Sequence, residues 1–250
     1  MNNVIKVSTS CQIGCVRSNN EDMILVNGRF IRNDSYSTSL PYDDKKNCRM
    51  VFAVADGMGG HQAGEVASEQ VLIDFNYFIK DMPSGLTICE FDEAIIRWLD
   101  SINRKIHLMG INTPEQSDMG TTLVALVFYE NRKYWLNCGD SRLYLYRNGA
   151  LSQITVDHSL NTLVGEKKHS NIITNCIGAG CTTSYIDIYD FTQDVMPGDV
   201  LLLCSDGLND MISDEAISSV IQNGGDATML CNAAIEAGGR DNVSVLLLNL

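Results

Sequence analysis

Apolar residues along this 250-residue chain gather in short runs closed by turn residues, a pattern that reads as strands. The runs predict strands at 24–26, 50–55, 122–128, 134–137, 142–146, 185–189, 200–204 and 243–248. TLVALVF at 122–128 and VSVLLL at 243–248 are the most continuous, so they should be buried on both faces, inside a sandwich or a helix-covered sheet. Two longer stretches change to helical period. One runs over 61–80 with Ala67, Val71, Phe75, Phe78 and Ile79 on one face; the other runs over 91–109 with Phe91, Ile95, Trp98, Leu99, Ile102, Ile106 and Met109 in a single stripe. Shorter helices are expected at 213–222, where Ser213 and Ala216 loosely resemble a capping arrangement, and at 226–237 with Asp226 as N-cap. Residues 28–49 are polar and turn-rich, which predicts a long surface hairpin or loop.

No repeat, Pro-rich linker or long charge block divides the chain, so a single domain over 1–250 is expected. The composition, 45% hydrophobic and 20% charged, is that of a globular protein able to bury a core. With 18 Lys and Arg against 31 Asp and Glu, the net charge of −13 argues against nucleic-acid binding and against docking on anionic lipid. The nine cysteines are odd in number, irregularly spaced and without a C-x-x-C pair. Cys138 and Cys204 sit in apolar runs and read as small buried hydrophobes, the usual fate of cysteine in a reducing compartment. The N-terminus lacks a signal-peptide pattern and no run approaches the roughly 18 apolar residues of a membrane span, so a soluble, cytoplasmic protein is expected.

Candidate chemistry lies at strand ends. Two apolar strands stop at Asp-Gly, in VFAVADG at 51–57 and LLLCSDG at 201–207, and a third begins just after Asp241 and Asn242. The glycines suggest sharp turns with positive φ, while strands aim the carboxylates into a common space. Such carboxylates cannot all stay ionised together without a cation between them. An all-oxygen set without clustered His or Cys selects Mg²⁺ or Mn²⁺ over zinc.

Seven motifs carry a resemblance: GCVRSNNED (14–22), DGMGGHQAGEVAS (56–68), DMGTT (118–122), CGDSRLY (138–144), TVDHS (155–159), SDGLND (205–210) and GGRDNVS (238–244). In this order they resemble the protein phosphatase 2C (PPM) family of metal-dependent protein serine/threonine phosphatases, bacterial single-domain type. The resemblance implies an α+β fold, a four-layer α-β-β-α sandwich of two antiparallel sheets flanked by helix pairs. It makes Asp56 the carboxylate bridging two metal ions, Gly57 a ligand through its carbonyl, and Asp206 and Asp241 the remaining ligands of the first ion. Glu21 and Asp22 hold metal-bound waters, Asp118 with Asp206 a third, weaker ion, and Arg17 the substrate phosphate.

The implied reaction is hydrolysis of phosphoserine and phosphothreonine in proteins by metal-activated water, reversing a serine/threonine kinase, with phosphotyrosine a poor substrate. The partners expected are therefore phosphoproteins and a cognate kinase, and the chain is expected to be a monomer. Two departures from the family pattern stand out. Met58 replaces the histidine that serves as general acid in some members, which leaves His61 as a candidate donor or a water in its place. The flap segment at 159–175 is short and carries Lys167, Lys168 and His169 near its tip. Asp140, Ser141 and Arg142 in a tight turn, and Asp157, His158 and Ser159 at the start of a connector, read as scaffolding.

Other readings compete. Cys11 to Ser18 matches the C-x5-R-S phosphate loop of cysteine-dependent tyrosine phosphatases, but Glu21 and Asp22 follow where a helix N-terminus should cradle phosphate. The turn after 51–56 imitates a dinucleotide site, yet Gln62 stands where the last glycine belongs. A catalytically inactive pseudophosphatase that binds phosphoproteins should have lost a ligand, and Arg17, Asp56, Asp206 and Asp241 are all present.

Overall fold

In the computed structural model, residues 3–43, 48–59, 63–113, 118–164 and 172–250 are described. β1 (Asn3–Gln12), β2 (Met23–Val26), β3 (Arg29–Ile31), β4 (Asp34–Tyr42), β5 (Cys48–Ala55) and β6 (Gly57–Met58) precede the long helices α1 (Ala63–Asp81) and α2 (Ile88–Asn112). Then come β7 (Gly120–Thr121), β8 (Leu123–Glu130), β9 (Arg132–Cys138), β10 (Arg142–Arg147) and β11 (Ala150–Gln153), followed by a short α3 (Leu160–Val164), β12 (Ile177–Gly178), β13 (Asp187–Asp190) and β14 (Val200–Cys204). The chain closes with α4 (Asp206–Asn209), α5 (Asp214–Gln222), α6 (Ala227–Glu236) and β15 (Val243–Asn249).

The strands form two six-stranded antiparallel sheets, ordered β11-β10-β14-β15-β1-β4 and β13-β9-β8-β5-β2-β3, and a three-stranded sheet β12-β7-β6. Strand periodicity explains why the central runs read as continuously apolar. In β8, Val124, Leu126 and Phe128 point into the core between the two sheets, while Leu123, Ala125 and Val127 point into the core under α1 and α2. β15 divides likewise, Leu246 and Leu248 facing the other sheet and Val245 and Leu247 facing α5 and α6. The layers are therefore helix pair, sheet, sheet, helix pair, as the resemblance implies. Each fully buried Leu or Phe contributes about 1.5–3 kcal/mol, and the central strands carry such residues on both faces.

Local chemistry sets the helices. α2 begins with a capping box in which the Thr87 side chain accepts from Glu90 N and the Glu90 carboxylate accepts from Thr87 N. Ser213 and Asp226 cap α5 and α6 as their sequences predict, accepting from Ala216 N and Met229 N. No helix among the described residues is long and apolar enough to cross a membrane.

Of the stretch 28–49, expected as a long surface hairpin or loop, the described residues form β3 and β4 and the start of β5, with β4 an edge strand pairing β1 from Asn3↔Tyr42 to Cys11↔Asp34. Its outward positions are polar, and Pro41 is tolerated because an edge strand has a free side. β1 itself lies inside its sheet and has no counterpart among the expected strands.

Register gathers the strand ends. Cys11 pairs Ser244, Cys204 pairs Val245 and Met23 pairs Ala55. The segments just beyond these pairs carry Glu21, Asp22, Asp56, Asp206 and Asp241 to one end of the sandwich.

Candidate active site

Asp56 follows the last residue of β5, and its backbone is fixed from the neighbouring strands. Asp56 N donates to Thr122 Oγ1 at 3.0 Å, and Asp56 O accepts from Thr122 N and Thr121 Oγ1, each at 2.9 Å. Thr122 Oγ1 lies 2.7 Å from Ser141 Oγ, which ties this corner to the start of β10. Asp206 opens α4 directly after β14, and Asp241 precedes β15.

The glycines after Asp56 and Asp206 are required for close approach. Neither has positive φ. A Cβ on Gly57 would stand 2.1 Å from Gly64 O, and one on Gly207 only 1.9 Å from Asn242 O. The positive-φ turns expected from the sequence are thus replaced by backbones packed in direct contact.

The corner bearing Glu21 and Asp22 is clamped on two sides. Asn242 Nδ2 donates to Ile13 O and Asn19 O, each at 3.0 Å, and its Oδ1 accepts from Glu21 N at 2.8 Å. Arg32 donates to Asp22 O, to Glu65 Oε1 and O, and to Ser68 Oγ, each at 2.9 Å, which fastens α1 to the same corner. Neither residue was among the expected site residues. Asn242 was legible as the neighbour of Asp241 at a strand start; Arg32 had no local signal, because its partners lie far along the chain.

The electrostatics of the cluster are those of crowded acids. Burial, then the charges of Asp22, Asp206, Asp140 and Asp241, holds the Asp56 carboxyl well above the usual range. Burial, then Asp140, Asp210, Asp241 and Asp22, does the same at Asp206. Asp22 is fully buried; burial pushes it up to about 6, although Ser205 Oγ donates to its Oδ2 at 2.8 Å. The charge of Asp241 pushes Asp22 in the same direction. Burial raises Glu21 as well, with Arg17 opposing. Asp140, read from sequence as scaffold, is buried and pushed up to about 6, and its charge reaches both Asp56 and Asp206.

Arg17 is the cation of the site. Its Nη2 lies 2.6 Å from Asp241 Oδ2, and the two side chains are 51% and 34% exposed. Among the described residues no three His, Cys, Asp or Glu side chains stand close enough together, as placed, to ligate one ion. The donor set nevertheless suits a hard cation: Glu21 Oε1, Asp22 Oδ1 and Asp206 Oδ1 are buried oxygens without a hydrogen-bond partner in the protein. Asp118 is exposed and lines a hollow with Ile106, His107, Met119 and Gly180. His61 and the flap residues Lys167, Lys168 and His169 lie outside the described residues.

Arg142 forks onto Asp157 with contacts of 2.7–3.1 Å, and His158 Nδ1 accepts from Gly139 N at 3.1 Å while its Nε2 lies 3.0 Å from Asp187. Cys11 sits near the end of β1, fully buried, with Asn20 and Ser244 bonding to its sulfur at 3.3 and 3.2 Å. Burial, with Asp22 nearby, pushes its thiol up to about 11, so it is no thiolate nucleophile, and Arg17 faces a carboxylate rather than a phosphate loop.

The sequence profile of the Protein phosphatase 2C family matches residues 30–233. The chain is 33% identical over 257 aligned positions to the serine/threonine protein phosphatase PstP of Mycobacterium tuberculosis, covering 99% of this chain and 45% of PstP. It thus spans less than half the length of that relative. It is 32% identical to the serine/threonine phosphatase stp of Listeria monocytogenes, covering 87% of this chain and 91% of that protein. The crystal structure of the PstP catalytic domain with two manganese ions superimposes with a TM-score of 0.72 at 31% identity, covering 99% of both chains.

Proposed function

The chain belongs to the Protein phosphatase 2C family, and from that premise we propose that it hydrolyses phosphoserine and phosphothreonine in proteins, opposing a serine/threonine kinase. The observation that carries this reading is the cluster of desolvated carboxylates at converging strand ends, with buried oxygens on Glu21, Asp22 and Asp206 that have no hydrogen-bond partner. The residues that would hold a pair of divalent cations are Asp56 and Gly57 between them, with Asp206 and Asp241. Manganese is favoured by the PstP structure and magnesium suits the same oxygens. Asp118, with Asp206, is the place for a third and weaker ion.

Bound cations supply Lewis acidity, which acidifies water near neutral pH and offsets charge on the phosphoryl group. Asp56 would provide the anionic seat, beside the buried Asp22, whose Oδ2 accepts from Ser205 Oγ. Glu21 and Asp22 accept hydrogen bonds from water and orient it for in-line attack on phosphorus. Arg17, exposed and paired with Asp241, would fork onto the substrate's phosphate oxygens if Asp241 were engaged by a cation. The serine or threonine oxygen must leave with a proton. Met58 cannot supply it, which leaves His61 or a water as the donor.

The test is release of phosphate from a phosphothreonine peptide with Mn²⁺ and with excess chelator. Release that requires the metal, and that is slower from the phosphotyrosine analogue, is expected; metal-independent release or none would overturn the reading. Arg17→Ala should lower kcat/KM by about 10- to 100-fold, the loss of a charge-assisted pair of bonds worth ~1.5–3 kcal/mol, with Arg17→Lys recovering only part. Cys11→Ser should leave turnover within about twofold of the parent, because a thiol that keeps its proton contributes no nucleophile. Collapse of activity in that variant, with its fold retained, would reinstate the cysteine mechanism.

A further inference from the structure

Two thiols touch outside the carboxylate cluster. Cys176 Sγ and Cys181 Sγ are 3.7 Å apart, Cys176 buried and Cys181 partly open to solvent. We propose that Cys176 and Cys181 form a reversible modification site, oxidised to a disulfide by a peroxide, and that closing this bond throttles the active site. The bond itself is independent of the function proposed above; the throttling rests on it.

The turn between the cysteines is built to hold them together. Gly178, Ala179 and Gly180 all lie in the left-handed region, with φ of 84°, 50° and 71°, and Cys181 N donates to Gly178 O at 2.9 Å. Asn103 of α2 grips both ends, its Oδ1 accepting from Gly178 N at 2.7 Å and its Nδ2 donating to Cys181 O at 3.0 Å. Ala179 N donates to Met119 O at 2.7 Å on the other side. A disulfide requires sulfurs at about 2.05 Å, so the pair must close by roughly 1.7 Å, within reach of rotamer change and a small shift of the turn.

The two thiols have different chemical parts. Burial, then the neighbouring Cys181, pushes the Cys176 thiol up to about 12, so the more open Cys181 meets the oxidant first. The Cys181 thiolate displaces hydroxide from hydrogen peroxide and becomes a sulfenic acid. The Cys176 sulfur then attacks the Cys181 sulfur, the S–S bond forms, and the sulfenic oxygen leaves as water with the Cys176 proton. Two thiols have lost two electrons and two hydrogens, and one peroxide has become two waters. Thiol reductant reverses the step by exchange.

The bond bears on the active site through the small sheet. Ile177 and Gly178 pair Thr121 and Gly120, which in turn pair Gly57 and Met58, and Thr121 Oγ1 holds Asp56 O at 2.9 Å. Moving the turn therefore moves the strand that fixes Asp56 and Gly57. A displacement on the order of 1 Å in such a constellation costs up to about 10²-fold in rate.

The experiment treats the metal-loaded protein with hydrogen peroxide, alkylates the remaining thiols and digests without reductant. Chymotryptic cleavage after Leu163 and Tyr185 releases segment 164–185, whose only cysteines are Cys176 and Cys181. The expected result is a segment two hydrogens lighter and unalkylated, with phosphopeptide turnover down about tenfold and restored by dithiothreitol. Cys181→Ser, and Cys181→Ala as a second variant, should keep their turnover under peroxide. A segment carrying two alkyl groups, or a bond to Cys138 instead, would overturn the site. A closed bond with unchanged turnover would overturn the throttle. Should the protein lack phosphatase activity altogether, the mass of the segment still decides whether the bond forms.

Discussion

Asp56→Asn is expected to lower turnover of a phosphothreonine peptide by on the order of 10³-fold or more, while raising the melting temperature of the chelated protein. The first effect would follow from losing the carboxylate proposed to hold the cations, several kcal/mol of charge stabilisation. The second follows from the environment of the carboxyl. Asp56 is desolvated and surrounded by Asp22, Asp206, Asp140 and Asp241, so its ionised form destabilises the fold when no cation is bound. The substitution should not disturb the corner, because the hydrogen bonds with Thr121 and Thr122 are made by the Asp56 backbone. Peptide kinetics and thermal unfolding in chelator check the pair together. Lost activity with a lowered melting temperature would indicate a folding role, and retained activity would remove Asp56 from the site.

Stability of the chelated protein should fall as pH rises from about 4 to 7. Asp22 binds its proton up to about pH 6 in the folded state, against an ordinary value of 3.8, so the folded state holds more protons across that interval and each step upward in pH favours unfolding. The shift corresponds to about 3 kcal/mol from Asp22 alone, and Asp140, pushed to about 6, acts in the same direction. Asp190 and Asp199 have lowered values; their stabilisation is lost only as pH falls below the ordinary carboxylate range. They therefore do not offset the effect between pH 4 and 7. Saturating Mn²⁺ at pH 7.5 should reverse the loss, since a cation offsets the same charges. Denaturant titrations at several pH values check this, and a chelated protein more stable at pH 7 than at pH 5 would contradict it.

The sequence was most informative where one residue pattern had one physical solution. Strands such as 122–128 and 243–248, apolar at all but one position each, can only sit between two cores, and the stripe over 91–109 can only face one. The Asp-Gly strand ends were equally legible, since a carboxylate after an apolar strand has few uses. Polar edges were not. β4 alternates Ser and Thr with few large apolar residues, and β1 hides its inward Ile5, Val7 and Cys11 between Lys and Ser, so both resemble loop until their partners are known. The same limit applies to the site. Arg32, Asn242 and Asp140 act through residues distant in sequence, and their roles emerge only when strands come into register.

The proposed convergence of Asp56, Asp206 and Asp241 on divalent cations would free Arg17 to bind phosphate. A crystal of the protein grown with Mn²⁺, measured at the manganese absorption edge, tests it most directly. The expected result is anomalous peaks ligated by Asp56, Gly57 O, Asp206 and Asp241, with the Arg17 guanidinium withdrawn from Asp241. Manganese found elsewhere, or Arg17 still paired to Asp241 with no peak beside Asp56, would contradict it.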